Sequence, residues 1–257
     1  AIVNRRGSDL TTKADGVCYT SSGRDVEMSV ASTKAFYSQV AAGAYLAFSI
    51  EFIRRGKKPF ENEISQIVSQ LVDMPTKMRE VLGSESHEHI KEVAKRTVLS
   101  RRSWATVGNG PNSIAAREIR IKSSELCYKA IALDTTEDKK HIDLSSEPLI
   151  IVCATGMDGS TADDVAKEIG IYKAHKACPV VITDDASERF EECGEIINVP
   201  LSHPSLSFIL ASVAGHIFGY ESAKAIDETA RTLREARGAL ALITPEELSS
   251  VGAMASI

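Results

Sequence analysis

The sequence predicts an α/β fold of three layers, with a parallel sheet between helices. Three observations predict it. Short apolar runs recur along the chain and alternate with longer helical patterns, which is the signature of parallel strands joined by crossover helices. The run from Leu149 to Cys153 is continuously apolar, as a strand buried on both faces must be. Gly108-Asn109-Gly110-Pro111 and Gly156-Met157-Asp158-Gly159-Ser160 are breaks placed between a strand pattern and a helix pattern.

The elements follow in order. Ile2-Val3 and Val17-Cys18-Tyr19 read as short strands, and Ser32 to Phe52 as a helix. Ile64, Ile67, Val68, Leu71 and Val72 repeat at helical spacing and predict a helix from Ile64 to Leu82, with another from Ile90 to Leu99. Trp104 to Val107 is strand-like, and a helix follows from about Ser113 to Tyr128. Strands are expected at Ala130–Leu133, Leu149–Cys153, Val180–Ile182 and Ile196–Val199. Ser160 is expected to cap a helix reaching about Lys176, and a further helix runs from Leu206 to Phe218. Thr244-Pro245-Glu246-Glu247 has the form of a capping box with proline at the first helical position. This divides the chain into residues 1–100, the end of one α/β unit with linking helices; 101–225, a complete unit; and 226–257, a tail. Ala1-Ile2-Val3 reads as the interior of a strand, so the chain is expected to be a fragment whose sheet partners lie upstream.

Composition narrows the function. The 257 residues carry 35 acids against 30 bases, a net charge of −5, so nothing supplies the basic surface that nucleic-acid binding needs. The longest apolar stretch, Val40 to Phe48, is far below the roughly 18 residues of a membrane span. The five cysteines form no C-x-x-C pair, which argues against a disulfide framework or zinc site and for a reducing, cytoplasmic compartment. No metal or redox cofactor is expected, because no ligand pattern for one is present.

Three segments could carry chemistry. Val30-Ala31-Ser32-Thr33-Lys34-Ala35-Phe36 opens a helix with small residues and hydroxyls, which by spacing alone fits a plain cap by Ser32 or Thr33 first and an anion or sugar hydroxyls second. Glu118, Lys122 and Glu125 stand at i, i+4 and i+7 on one helix face. They read either as a solvated stripe with an ion pair or as a carboxylate base beside a cation, the pairing an aldose–ketose isomerisation requires. Asp158-Gly159-Ser160-Thr161 joins a glycine turn to hydroxyls at a helix start, fitting a phosphate on Ser160 and Thr161 or a simple capped helix. All three are expected at the carboxyl ends of strands, where open α/β sheets bind ligands. His87 and His89 read as solvated, and His175, His203 and His216 have no partner visible in the sequence. His141 lies in a polar loop before a core strand.

These residues together resemble a known family. Val30-Ala31-Ser32-Thr33-Lys34-Ala35-Phe36 looks like the V-A-S-T-K-A-F signature of glutamine–fructose-6-phosphate aminotransferase, with Gly7-Ser8-Asp9-Leu10 and Ala14-Asp15-Gly16-Val17 similar to the approach to it. Glu118 to Tyr128 looks like the family's E-x-x-x-K-x-x-E-x-x-Y helix, and His141 falls where its loop histidine stands. The resemblance covers roughly residues 1 to 235. It implies two sugar isomerase (SIS) domains, the end of the first and all of the second. It implies that fructose 6-phosphate and ammonia give glucosamine 6-phosphate, with the ammonia released from glutamine by a separate upstream glutaminase domain. Glu125 would move the proton between C1 and C2, Lys122 and Glu118 would support it, and Val30, Ser32 and Thr33 would contact the hexose 6-phosphate. His141 would assist ring opening in a neighbouring subunit's site, which implies a homodimer. A non-catalytic sugar-phosphate-binding module and a phosphosugar deglycase or isomerase share the same fold and stand as alternatives.

Three departures from the family pattern stand out. Its S-x-S-G-x-T phosphate loop would fall before Ala1. Its C-terminal Schiff-base lysine has no counterpart, since no lysine follows Lys224 and Arg234 aligns there. A guanidinium stays protonated and is a poor imine-forming amine. The glycine after the loop histidine is Ile142.

Overall fold

The computed structural model describes residues 1–21, 32–55, 61–185 and 188–242. Val30 and the segment from Thr244 onward lie outside the described residues. Strand β1 (Ile2–Val3), helix α1 (Asp9–Lys13) and strand β2 (Cys18–Tyr19) come first, and the two strands pair in parallel. Helices α2 (Lys34–Arg55), α3 (Glu61–Val81) and α4 (Ser84–Val98) follow. The α/β unit then runs β3 (Trp104–Gly108), α5 (Asn112–Cys127), β4 (Ile131–Asp134), α6 (Thr136–Lys139), β5 (Leu149–Ala154), α7 (Gly159–Ala174), β6 (Cys178–Thr183), β7 (Glu195–Asn198) and α8 (Ser207–Leu242).

β3 to β7 form one five-stranded sheet in the order β4-β3-β5-β6-β7, every pair parallel. The central strand β5 is buried at every position, which is why Leu149–Ala154 reads as an unbroken apolar run instead of an alternating one. Its side chains divide by parity between two cores. Leu149, Ile151 and Cys153 pack with α4, α5 and α8; Ile150, Val152 and Ala154 pack with Val165, Ile169 and Tyr172 of α7. The sheet therefore separates two helical layers, as the sequence predicts.

Four details differ from the sequence reading. α7 begins at Gly159 with Asp158 at its N-cap position and no side-chain cap bond there, so Ser160 sits inside the first turn and does not cap it. The polar segment before β5 holds the short helix α6 and a 3₁₀ turn at Leu144–Ser146. Thr135 and Asp138 close α6 reciprocally: the Asp138 amide donates to Thr135 Oγ1 at 3.0 Å, and that hydroxyl donates to Asp138 Oδ2 at 2.9 Å. α4 starts at Ser84, ahead of the predicted Ile90, and so carries His87 and His89 on a helix. Neither is simply solvated: His87 Nε2 is 2.9 Å from Glu221 Oε1, and His89 Nε2 is 2.7 Å from the Ile196 carbonyl. Finally, α8 does not stop at Phe218. It continues to Leu242, although its buried residues end at Ala225. Ile226 still packs against the core, and beyond it the helix is mostly exposed.

Candidate active site

α5 leaves the carboxyl end of β3 and packs on α8. The approach is close because α8 has glycine at position 215, where a Cβ would run into the side chain of Ile119. The same contact brings the Sγ of Cys127 to within 3.7 Å of the Gly219 carbonyl. His216, next to Gly215, is thereby delivered to Glu118.

The result is a linked polar network inside an apolar helix interface. Glu118 Oε1 lies 3.2 Å from Lys122 Nζ, and the two side chains are only 9% and 7% exposed. His216 Nε2 lies 3.1 Å from the same carboxylate oxygen, and His216 Nδ1 lies 2.8 Å from the Tyr37 hydroxyl. The rings of Phe36 and Tyr37 stand edge-on to the imidazole, with centroids 6.3 and 5.6 Å away. A carboxylate can only accept, so the ring donates Nε2–H to Glu118; in the neutral ring Nδ1 then accepts from Tyr37 O–H. Burial pushes the Glu118 carboxyl up, but the hydrogen bond from His216 and the charge of Lys122 outweigh it and hold it below the usual carboxylate range. The Tyr37 phenol is driven up by burial and by the nearby Glu118 charge. Glu118 is therefore an anion kept in that state by His216 and Lys122 against its burial.

The solvated-stripe reading of this helix is thus corrected in part. Glu118 and Lys122 are buried, and only Glu125, one turn past Lys122, is exposed. Nor does this face sit at the end of a strand. Glu118 is six residues into α5, about 9 Å along its axis at ~1.5 Å per residue, so the network lies along the helical layer. Ser32 is half-buried and Thr33 exposed, both just before α2, whose Tyr37 joins the network. Tyr37 and His216 are the two members that no sequence motif singles out. Tyr37 directly follows the Val30–Phe36 segment, which is the one available hint; nothing marks His216.

The other expected residues lie elsewhere. His141 is exposed, with Nε2 3.7 Å from Glu137. Its segment belongs to the opposite layer: Lys140 pairs with Glu168 of α7 at 3.8 Å, and the Tyr172 hydroxyl of α7 donates to the Thr136 carbonyl at 2.5 Å. Within one chain the segment of His141 thus packs on α7, whereas Glu118 faces α8. Ser160 and Thr161 are exposed at the start of α7. Beside them a cavity of about 640 Å³ opens at the carboxyl ends of β5 and β6, lined by Gly156, Asp158, Asp184, Asp185 and Arg189 among others. Three carboxylates face it, so it suits an anion poorly. Arg234 is exposed on the outer part of α8 and is paired with Asp227, with Nη2 2.9 Å from Oδ2. Among the described residues no group of three or more His, Cys, Asp or Glu side chains gathers to hold a metal, and no helix is long and apolar enough to cross a membrane.

No family model matches the chain. It is similar to curated proteins named glutamine–fructose-6-phosphate aminotransferase. The one from Corynebacterium efficiens is 29% identical over 225 residues, covering 85% of this chain and 35% of that protein. The one from Thermus thermophilus is 29% identical over 227 residues, covering 86% and 36%. The chain thus spans about a third of the length of these relatives. Among solved structures, the C-terminal domain of glucosamine-fructose-6-phosphate aminotransferase from Francisella tularensis superposes with a TM-score of 0.74 at 17% identity, covering 88% of this chain and 62% of that one. That likeness bears on the fold alone, the parallel sheet between two helical layers described above. In sequence over most of its length, and independently in fold, the chain resembles the isomerase half of glutamine–fructose-6-phosphate aminotransferase.

Proposed function

We propose that the chain acts as the isomerase half of a glucosamine-6-phosphate synthase-like enzyme. Its substrate is a hexose 6-phosphate. Fructose 6-phosphate and ammonia, the latter supplied from glutamine by a separate glutaminase domain, give glucosamine 6-phosphate. The observation that carries this reading is the buried Glu118–Lys122 pair leading, one turn on, to the exposed carboxylate of Glu125. Glu125 is the base that takes the proton from one of C1 and C2 and returns it to the other. Lys122, paired with Glu118 at 3.2 Å, stabilises negative charge developing on the sugar oxygens. Val30, Ser32 and Thr33 bind the sugar. His141 serves ring opening. By the family resemblance it acts in the site of a second copy, so the working unit is a homodimer, with the cytoplasm as its compartment; the packing of its segment on α7, while Glu118 faces α8, is consistent with that sharing.

One observation favours a second reading, a non-catalytic sugar-phosphate-binding module. Arg234 aligns with the imine-forming lysine and is tied to Asp227 on an exposed helix, so it supplies no amine. Glu125→Gln in the native chain separates the two. As an enzyme, the variant keeps sugar-phosphate binding and loses interconversion of fructose 6-phosphate with its aldose or amino-aldose by roughly a hundredfold or more. If the unaltered protein binds the sugar phosphate and never turns it over, the binding module is the correct reading. If it binds no hexose phosphate, both fail.

A further inference from the structure

We propose that His216 is a positioning residue for the acid–base helix, coupling Tyr37 of the sugar-binding segment's helix to the Glu118–Lys122 pair. The inference rests on the isomerase reading above and deepens it.

Four facts carry the proposal. His216 is on α8, far in sequence from either neighbour, yet it contacts both through its two ring nitrogens, at 3.1 Å to Glu118 and 2.8 Å to Tyr37. The ring is 11% exposed, so water does not compete for those bonds. Tyr37 lies one turn beyond Ser32 and Thr33 on the helix they open, so a shift of that helix on sugar binding moves the phenol against the imidazole. Glu118 shares the single oxygen Oε1 between His216 and Lys122, so the direction of its carboxylate sets where the Lys122 ammonium stands. An imidazole is suited to this because it donates on one side while accepting on the other, and the chain of bonds keeps one direction from Tyr37 to Glu118. The charged and titratable groups facing Glu118 are Lys122 from its own helix, His216 from α8 and Tyr37 from α2.

The test compares His216→Gln, whose amide reaches Glu118, with His216→Asn, which is too short to reach it, in the full-length native protein. Two quantities are read. The first is the titration of the Glu118 carboxyl by carbon-13 NMR, assigned with Glu118→Gln. The second is kcat and KM on fructose 6-phosphate. In His216→Asn the Glu118 midpoint rises and kcat falls roughly tenfold or more, as losing a charge-assisted hydrogen bond implies, while KM stays within about twofold. His216→Gln restores both most of the way, and Tyr37→Phe gives the same pattern more weakly. An unchanged Glu118 midpoint in a folded His216→Asn protein overturns the proposal, as does a His216→Gln protein no better than His216→Asn. If the unaltered protein shows no turnover, the isomerase reading has failed, and the NMR titration alone decides whether His216 sets the state of Glu118.

Discussion

Glu118 and His216 stand 98 positions apart in the chain and meet at 3.1 Å inside the packed face of two helices. Each is polar in an apolar interface, and each is satisfied by the other. Because Lys122 depends on the same carboxylate, the three form one electrostatic unit whose removal is not additive.

Glu118→Gln leaves the Lys122 ammonium buried beside a neutral amide. Breaking one side of a buried pair costs about 3 kcal/mol, and equilibrium denaturation in urea should show a loss of that size. The double variant Glu118→Gln, Lys122→Met should recover much of it, since both charges are then gone. A double variant as unstable as the single one would mean that shape, not charge, limits this site.

Acid should unfold the protein partly through Glu118. Its folded carboxyl lies below the usual range because His216 and Lys122 outweigh burial. A lowered folded pKa stabilises above the unfolded value of about 4.3, and that stability disappears as pH falls through the lower folded value. Glu221 behaves alike: burial pushes it up, and the bonds from His87 and Lys224 bring it down overall. Stability measured from pH 6 to pH 2.5 should fall less steeply in Glu118→Gln than in the unaltered protein.

Asp184 should show the opposite sign. Burial raises its carboxyl despite the Gly156 amide donating to Oδ1 at 2.8 Å. A raised acid destabilises the fold above its folded pKa. Asp184→Asn keeps the acceptor without the charge, so it should raise the melting temperature at pH 8 and do so less at pH 4. A lower melting temperature at pH 8 would show that the carboxylate has a partner of its own.

Gly108→Ala should be costly for a steric reason. An added Cβ would stand 2.5 Å from the Asn112 carbonyl oxygen and 2.7 Å from its carbon, both backbone atoms at the first turn of α5. Overpacking of this kind typically costs ~1–3 kcal/mol, and here the helix carrying Glu118 must move. Denaturation should show the loss, and kcat should fall with it.

The thiols should divide sharply. Cys153 lies inside β5, where burial pushes its thiol up to about 12, whereas Cys18 is exposed. Under native conditions an aromatic disulfide reagent should label Cys18 quickly and Cys153 only after unfolding.

Most of the fold was legible in the chain because apolar periodicity is a local property. Ile64, Ile67, Val68, Leu71 and Val72 mark a helix without reference to anything else, and Leu149–Cys153 marks a doubly buried strand. α6 was missed although Thr135 and Asp138 stand at capping-box spacing, because four residues are too few to show a period. The outer part of α8 carries no such signal, because its apolar pattern thins out where the helix leaves the core, while the helix itself continues to Leu242.

The site divides along the same line. Sequence alone determined that Glu118, Lys122 and Glu125 share one helix face, since 3.6 residues per turn leaves no other arrangement. Whether that face is wet or buried was not in it. Spacing sets direction around an axis, but burial depends on what packs there. Only the tertiary structure laid α8 on α5 at Gly215, covered Glu118 and Lys122, left Glu125 in water, and brought His216 and Tyr37 to a carboxylate that neither is near in the chain. It also packed the segment that carries His141 on α7, in the other helical layer, through the Lys140–Glu168 pair and the Tyr172 hydroxyl on the Thr136 carbonyl.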